Sequence, residues 1–283
     1  MWNPADLVTD LDLLALDRLC LTDFGATDLA DKRQMAAQWL GPRVEQVGYR
    51  LVQHQIRKTP DAVFGFDGTT FTDLTTAASD QTEADLPLSS VCAVPASAAV
   101  YVGYRVPFRG VYVGVVDHVN ANSATLAVTA WTGRWAPVNS LQDGTQATLG
   151  KSLSGGGLVA WQPPDQWSRR RLNNSLLYWA TLTVATSLTA GTAATQMTPV
   201  VTSRLTLPAA QYTLGLLYQE SYGSNRGQWQ EKATALFEAA EASLGIALPL
   251  LADEFDLDAD EAVSGAEASS VTVAGAFATW ERG

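Results

Sequence analysis

Apolar positions recur along this chain with two different periods, and the change of period divides it into three stretches. Residues 4 to about 58 follow a helical period, in which Leu7, Leu11, Leu14 and Leu19 recur at helix-like spacing while Asp6, Asp10, Asp12 and Asp17 fill the other side. Phe24-Gly25-Ala26 is expected to end that helix. Thr27 is placed to cap a second helix with Asp28 and Asp31 in its first turn, and Leu29, Ala36, Trp39 and Leu40 form its buried stripe. Gly41-Pro42 predicts a break, because proline lacks the N–H that continues a ladder but fits the first turn of a new helix. A third helix is then expected through Val44, Val47, Leu51 and Ile56.

From about residue 62 to 207 the chain turns to short runs rich in Val, Thr, Tyr and Trp, separated by Gly, Pro, Asn and Asp. Strands are predicted at 63–66, 70–74, 99–104, 111–116, 125–131, 158–161, 178–185 and 198–205, with Asp67-Gly68 as a hairpin turn. That many short strands point to a sandwich or jelly roll. Helical period returns at Ala209–Tyr218 and Gln228–Leu244, where Trp229, Ala233, Leu236, Phe237, Ala240 and Leu244 share a face opposite Glu231, Lys232, Glu238 and Glu241. Helices on both sides of a β-rich middle imply an α+β chain with an inserted antiparallel domain. The expected parts are 1–61 and 208–251 as the two halves of a helical frame, 62–207 as the insert, and 252–283 as an acidic linker and extended tail.

Charge and composition narrow the chemistry. Eighteen basic against 29 acidic residues give a net charge of −11 over 283 residues, which opposes a surface that grips duplex DNA. No run approaches the roughly 18 uninterrupted apolar residues of a membrane span, and no basic-then-apolar leader opens the chain, so neither a membrane partner nor a secretion signal is expected. Cys20 and Cys92 lie in different predicted domains, where buried thiols in a chain made in a reducing cytoplasm are the expectation. His54 and His118 have no Cys or His partner at ligand spacing. Gly150-Lys151-Ser152 mimics the end of a phosphate-binding loop, but Gly144 stands one residue too far away and Ser154-Gly155-Gly156-Gly157 follows where a helix should start. No Gly-x-Ser-x-Gly turn presents a nucleophile. A non-catalytic protein without a cofactor is therefore expected. The acidic run places Asp256, Asp258, Asp260, Ser264 and Glu267 at the oxygen-ligand spacing of an EF-hand, but Glu261 stands where that loop needs its turn glycine. Only weak calcium binding is expected there.

Two segments together carry a resemblance. Gly157-Leu-Val-Ala-Trp161-Gln-Pro163-Pro-Asp-Gln-Trp167, followed by Tyr178-Trp179, resembles a segment of β-sandwich modules in tailed-phage virion proteins, with Ala180 and Thr181 where an Arg usually follows. Leu214-Gly-Leu-Leu-Tyr-Gln-Glu220, then Trp229-Gln-Glu-Lys232-Ala233, Phe237 and the Asp-rich run, is similar to the C-terminal part of phage neck proteins, the head–tail connectors below the portal. The resemblance implies a virion structural protein, made in the host cytoplasm and assembled in the phage neck. It implies a helical adaptor frame, a ring of about twelve copies, and the portal and a tail-side neck or terminator protein as partners. DNA would pass through the channel without specific binding, which suits the negative charge. The tail, with Val271, Val273, Phe277, Trp280 and Arg282, is the expected portal-docking segment, mobile in the free protein. The alternative is a carbohydrate-binding β-sandwich, motivated by nine tryptophans.

Overall fold

The computed structural model describes residues 7–20, 29–49, 51, 56–80, 84–91, 98–220 and 226–254. The chain is α+β and divides into two compact units, one formed by Arg57–Thr202 and the other by the segments before and after it.

The flanking unit is helical. Helix α1 (Asp10–Leu16) opens with the Asp12 carboxylate accepting the Thr9 N–H at 2.7 Å, and it ends where Asp17 turns extended. Leu7 and Leu13 are buried, whereas Leu19 is exposed, so the leucine stripe expected through Leu14 and Leu19 is displaced once the helix stops at Leu16. Helix α2 (Ala30–Glu45) buries Ala36, Ala37, Leu40 and Val44 and runs through Gly41-Pro42, where a break was expected. Proline gives up one ladder bond there, but burial of Leu40 on one side of it and Val44 on the other holds the helix together across the gap. Of the third helix expected through Val44, Val47, Leu51 and Ile56, residues 46–49 form a turn after α2 ends at Glu45, and residues 50 and 52–55 lie outside the described residues. Gly48 takes φ +91° and Tyr49 N–H closes back on Val44 O at 3.2 Å, a left-handed termination that an L side chain resists. Helix α5 (Thr206–Glu220) packs on α6 (Arg226–Ala247) and on α2. Trp39 lies flat on Tyr212 at 4.3 Å between ring centres, and Tyr218 lies on Trp229 at 5.1 Å. A 3₁₀ turn, Leu248–Glu254, follows α6.

The other unit is built of antiparallel strands. One seven-stranded sheet takes β1 (Ala62–Phe66), β2 (Phe71–Asp73), β3 (Ala99–Tyr104), β5 (Leu126–Trp131), β6 (Trp135–Pro137), β9 (Arg169–Leu172) and β10 (Ser175–Val184). Its order is β2-β1-β3-β10-β5-β6, with β9 beside the first half of β10. The second sheet is β11-β4-β8-β7, made of β4 (Gly110–Gly114), β7 (Asn139–Asp143), β8 (Gly157–Gln162) and β11 (Gln196–Val200). Alternate residues of the two sheets meet in one core, with Val63, Val100, Val102, Val128 and Leu182 from the first and Val111, Val113, Val159, Trp161 and Met197 from the second. Two short helices, α3 (Thr75–Ser79) and α4 (Leu88–Val91), close it with Ala78 and Leu88.

The strand expected over 198–205 ends at Val200, because Thr206 already begins α5. Strands β6, β7 and β9 were not foreseen. Asn173 and Asn174 take φ 43° and 69° in the two-residue β9–β10 turn, and an Asn-Asn pair at such a spacing is a hairpin signal.

Candidate functional site

Trp161 and Trp167, the tryptophans of the Gly157–Trp167 segment, are interior residues. They surround Phe108 at 5.7 and 4.9 Å between ring centres, and Trp167 meets Tyr178 edge-on at 6.1 Å. Gly157 is required by space, since a Cβ there would sit 2.0 Å from Gly144 O. These residues build the core and are not displayed to a ligand.

Trp179 points the other way, as the neighbour of Tyr178 in a strand must. It lies over Gly103, where a Cβ would come within 2.5 Å of the indole, and its N–H donates to Arg170 O at 2.9 Å. Around it, on the outward face of the seven-stranded sheet, aromatic residues of five strands and an arginine of a sixth form a continuous strip. Phe71 meets Phe66 at 4.6 Å and Tyr101 at 5.4 Å, Tyr101 meets Trp135 at 5.5 Å, and Trp135 meets Trp131 at 5.4 Å. Cross-strand register explains the row, because Phe66 faces Phe71 and Trp131 faces Trp135. The Arg170 guanidinium sits 3.9 Å above Trp131 and 5.3 Å from Trp135. Phe64 and Trp179 are buried beneath the strip, Phe71 is exposed, and Phe66, Tyr101, Trp131 and Trp135 are half-exposed. Burial pushes the Tyr101 hydroxyl above its ordinary range, against the pull of the Arg170 charge.

A second polar cluster ties the helical unit together. Asp17 accepts hydrogen bonds from Tyr218 and, at 2.5 Å, from Lys232, whose ammonium also donates to the Tyr218 oxygen at 2.6 Å. Burial alone would raise Asp17, yet the bonds from Lys232, Tyr218 and the Leu19 N–H hold it below the usual carboxylate value. Burial and the bond to Asp17 push Tyr218 up to about 12. Lys232 is raised by its bonds to Asp17 and Tyr218, although burial acts against them. The cluster links α5 and α6 to the end of α1.

Other sequence candidates resolve individually. Ser152 is buried and its hydroxyl accepts the Leu126 N–H at 2.9 Å, so the Gly150-Lys151-Ser152 loop is a turn between strands. His118 is exposed on a loop. Cys20 is buried, while Cys92 and His54 lie outside the described residues. No group of three or more His, Cys, Asp or Glu residues that could hold a metal occurs among the described residues. The calcium-spaced set Asp256, Asp258, Asp260, Ser264 and Glu267 and the tail residues Val271, Val273, Phe277, Trp280 and Arg282 also lie outside them.

Helix α6 presents the remaining surface of note. Ala233, Ala240 and Leu244 are buried against the unit, but Ile246 is 72% exposed. Gly227–Leu251 reaches a mean hydropathy of 1.4 in its most apolar window, of which only 22% is buried. Among the described residues it is the single helical stretch long and apolar enough to cross a membrane by those two measures. Compared with protein-family models, curated proteins and solved structures, the chain returns no match.

Proposed function

We propose that this chain is a structural ring-former, a head–tail adaptor of a tailed phage, in which the helical unit supplies the ring. The observation that carries this reading is that the most apolar window of α6 and the turn after it is only 22% buried, with Ile246 and Leu250 exposed at its C-terminal end, on a unit built from both sides of the insertion. Exposed side chains of that size are costly in water, and a second copy of the same surface would cover them repeatedly around a closed ring. The resemblance of the Leu214–Ala233 segment to neck proteins supports the same role, with the portal and a tail-side protein as neighbours. The pairings β3–β10–β5 in one sheet and β4–β8–β7 in the other, with the chain changing sheets at β3–β4, β4–β5 and β6–β7, support reading the insert as jelly-roll-like.

The test is reconstitution of the full chain on isolated portal rings, followed by sedimentation and electron microscopy. Closed rings are expected on the portal, lost in Ile246→Glu, and attachment is expected to fail when residues 268–283 are deleted. Failure of the intact chain to join any portal, or binding of α6 to phospholipid vesicles in place of self-association, overturns the reading.

A second reading, a carbohydrate-binding module, is favoured by one observation, the outward aromatic strip from Phe71 to Trp131 on the sheet unit.

A further inference from the structure

The aromatic strip has an electrostatic direction. At one end, Arg170 lies over Trp131 and Trp135, and Arg134 occupies the turn between those two tryptophans. Neither of these two arginines pairs with a carboxylate among the described residues, although the chain carries a net charge of −11. At the other end stand Asp67 and Asp73, and Asp67 is held below the ordinary carboxylate value by the Thr70 N–H and the Thr69 hydroxyl and N–H. Uncompensated positive charge in an acidic chain, gathered at one end of a half-exposed aromatic row, is complementary to an anion.

We infer that this face binds an acidic carbohydrate, with a uronic-type carboxylate at the Arg170 end and the apolar faces of the following sugar rings against Trp135 and Tyr101. The inference rests on the carbohydrate reading and adds the charge class and the orientation of the ligand. A nucleic-acid strand fits less well. It brings a phosphate at every residue and would set several of them against Asp67 and Asp73, and its bases need parallel stacking platforms. Here the rings lie steeply to one another, 72° between Trp131 and Trp135 and 67° between Tyr101 and Trp135. A sugar chain needs one ring face at a time and one carboxylate at the arginine end.

The experiment titrates the full-length protein with oligogalacturonate, with the same oligomer methyl-esterified to neutrality, and with single-stranded oligothymidine, following tryptophan fluorescence and calorimetry. Oligogalacturonate is expected to bind, and to weaken ~10-fold in Arg170→Ala and in Trp135→Ala. It should also weaken as salt rises from about 0.1 to about 0.5 M, while the neutral ester binds more weakly. Arg134→Ala, exposed in the β5–β6 turn, keeps the test independent of any folding defect in the first two variants and should weaken binding of the acid alone. Equal binding of the acid and its ester, unmoved by the arginine variants, overturns the charge assignment and leaves a neutral carbohydrate face. Binding of neither oligomer overturns both. Preferential binding of oligothymidine also overturns the proposal and replaces it with a single-strand-binding face.

Discussion

Gly157 and Asp17 show how much a single position decides. Gly157 has no room for a methyl group, with Gly144 O 2.0 Å from where a Cβ would stand, and the next nearest atoms, Gly144 C and Thr145 N, are also backbone rather than side chain that could swing aside. Gly157→Ala is expected to cost about 1–3 kcal/mol in denaturant unfolding, whereas Gly227→Ala, in open space at the start of α6, should cost nothing measurable. Asp17 was legible only as one acid on the polar side of a helix; its partners Tyr218 and Lys232 lie about two hundred residues away in the chain. Because its folded value is lowered, Asp17 adds stability above its ordinary value of 3.8, and that contribution is lost as pH falls through the lower folded value. Tyr218 and Lys232 are raised, so their contributions are complete below their ordinary values and disappear as pH rises; for Tyr218 the window runs from 10 to about 12. Thermal melts across pH should therefore show a shallower alkaline fall in Tyr218→Phe and a shallower acid fall in Asp17→Asn. The second variant should also lose roughly 1–3 kcal/mol at neutral pH, because an amide offers the Tyr218 hydroxyl and the Lys232 ammonium one neutral acceptor oxygen in place of a carboxylate.

At the scale of elements, turns carried the most reliable signals where their chemistry is local. Asp67-Gly68 joins β1 to β2 as the dipeptide predicts, with the Asp67 carboxylate accepting the Thr69 and Thr70 N–H groups at 2.8 Å each. Asn173-Asn174 is the corresponding device between β9 and β10, and both residues sit at positive φ. Asn174→Val should destabilise the protein by about 1–2 kcal/mol, since a β-branched side chain at φ 69° crowds its own carbonyl, while Asn174→Gly should be close to neutral. Comparing the two by denaturant titration separates backbone strain from loss of the side chain. Pro42 is the opposite lesson. Its local preference is to end a helix, yet α2 continues because Ala36, Leu40 and Val44 lie on one face buried within the unit. Packing over several turns outweighs one missing ladder bond.

For the molecule as a whole, the net charge of −11 governs encounters with polyanions. The full chain should leave duplex DNA unshifted in a gel at micromolar protein and about 0.15 M salt, because 29 acidic residues outweigh 18 basic ones and phosphate contacts need concentrated Lys and Arg. Exposed Ile246 near the end of α6 is expected to drive association only between copies. Ile246→Glu should change monomer stability by no more than roughly 0.5 kcal/mol, as the side chain is exposed, while removing concentration-dependent sedimentation.

Local pattern alone determined the succession of helices, strands and helices, and most strand positions to within a residue or two: Ala99–Tyr104 was read from the sequence with both ends in place. It did so because period and turn chemistry act over a few residues. Tertiary structure decided everything that depends on which residues meet. A period of two says that Tyr178 and Trp179 face opposite sides; only the order of seven strands shows that Tyr178 packs against the core and that Trp179 underlies an aromatic face. That strip draws Phe71, Tyr101, Trp131, Trp135 and Arg170 from five strands spaced over a hundred residues, and no sequence window contains them together. Leu13 rather than Leu14 is buried for a similar reason, since burial is a property of the neighbour supplied by the fold, and a hydrophobic stripe names only the side on which that neighbour will stand.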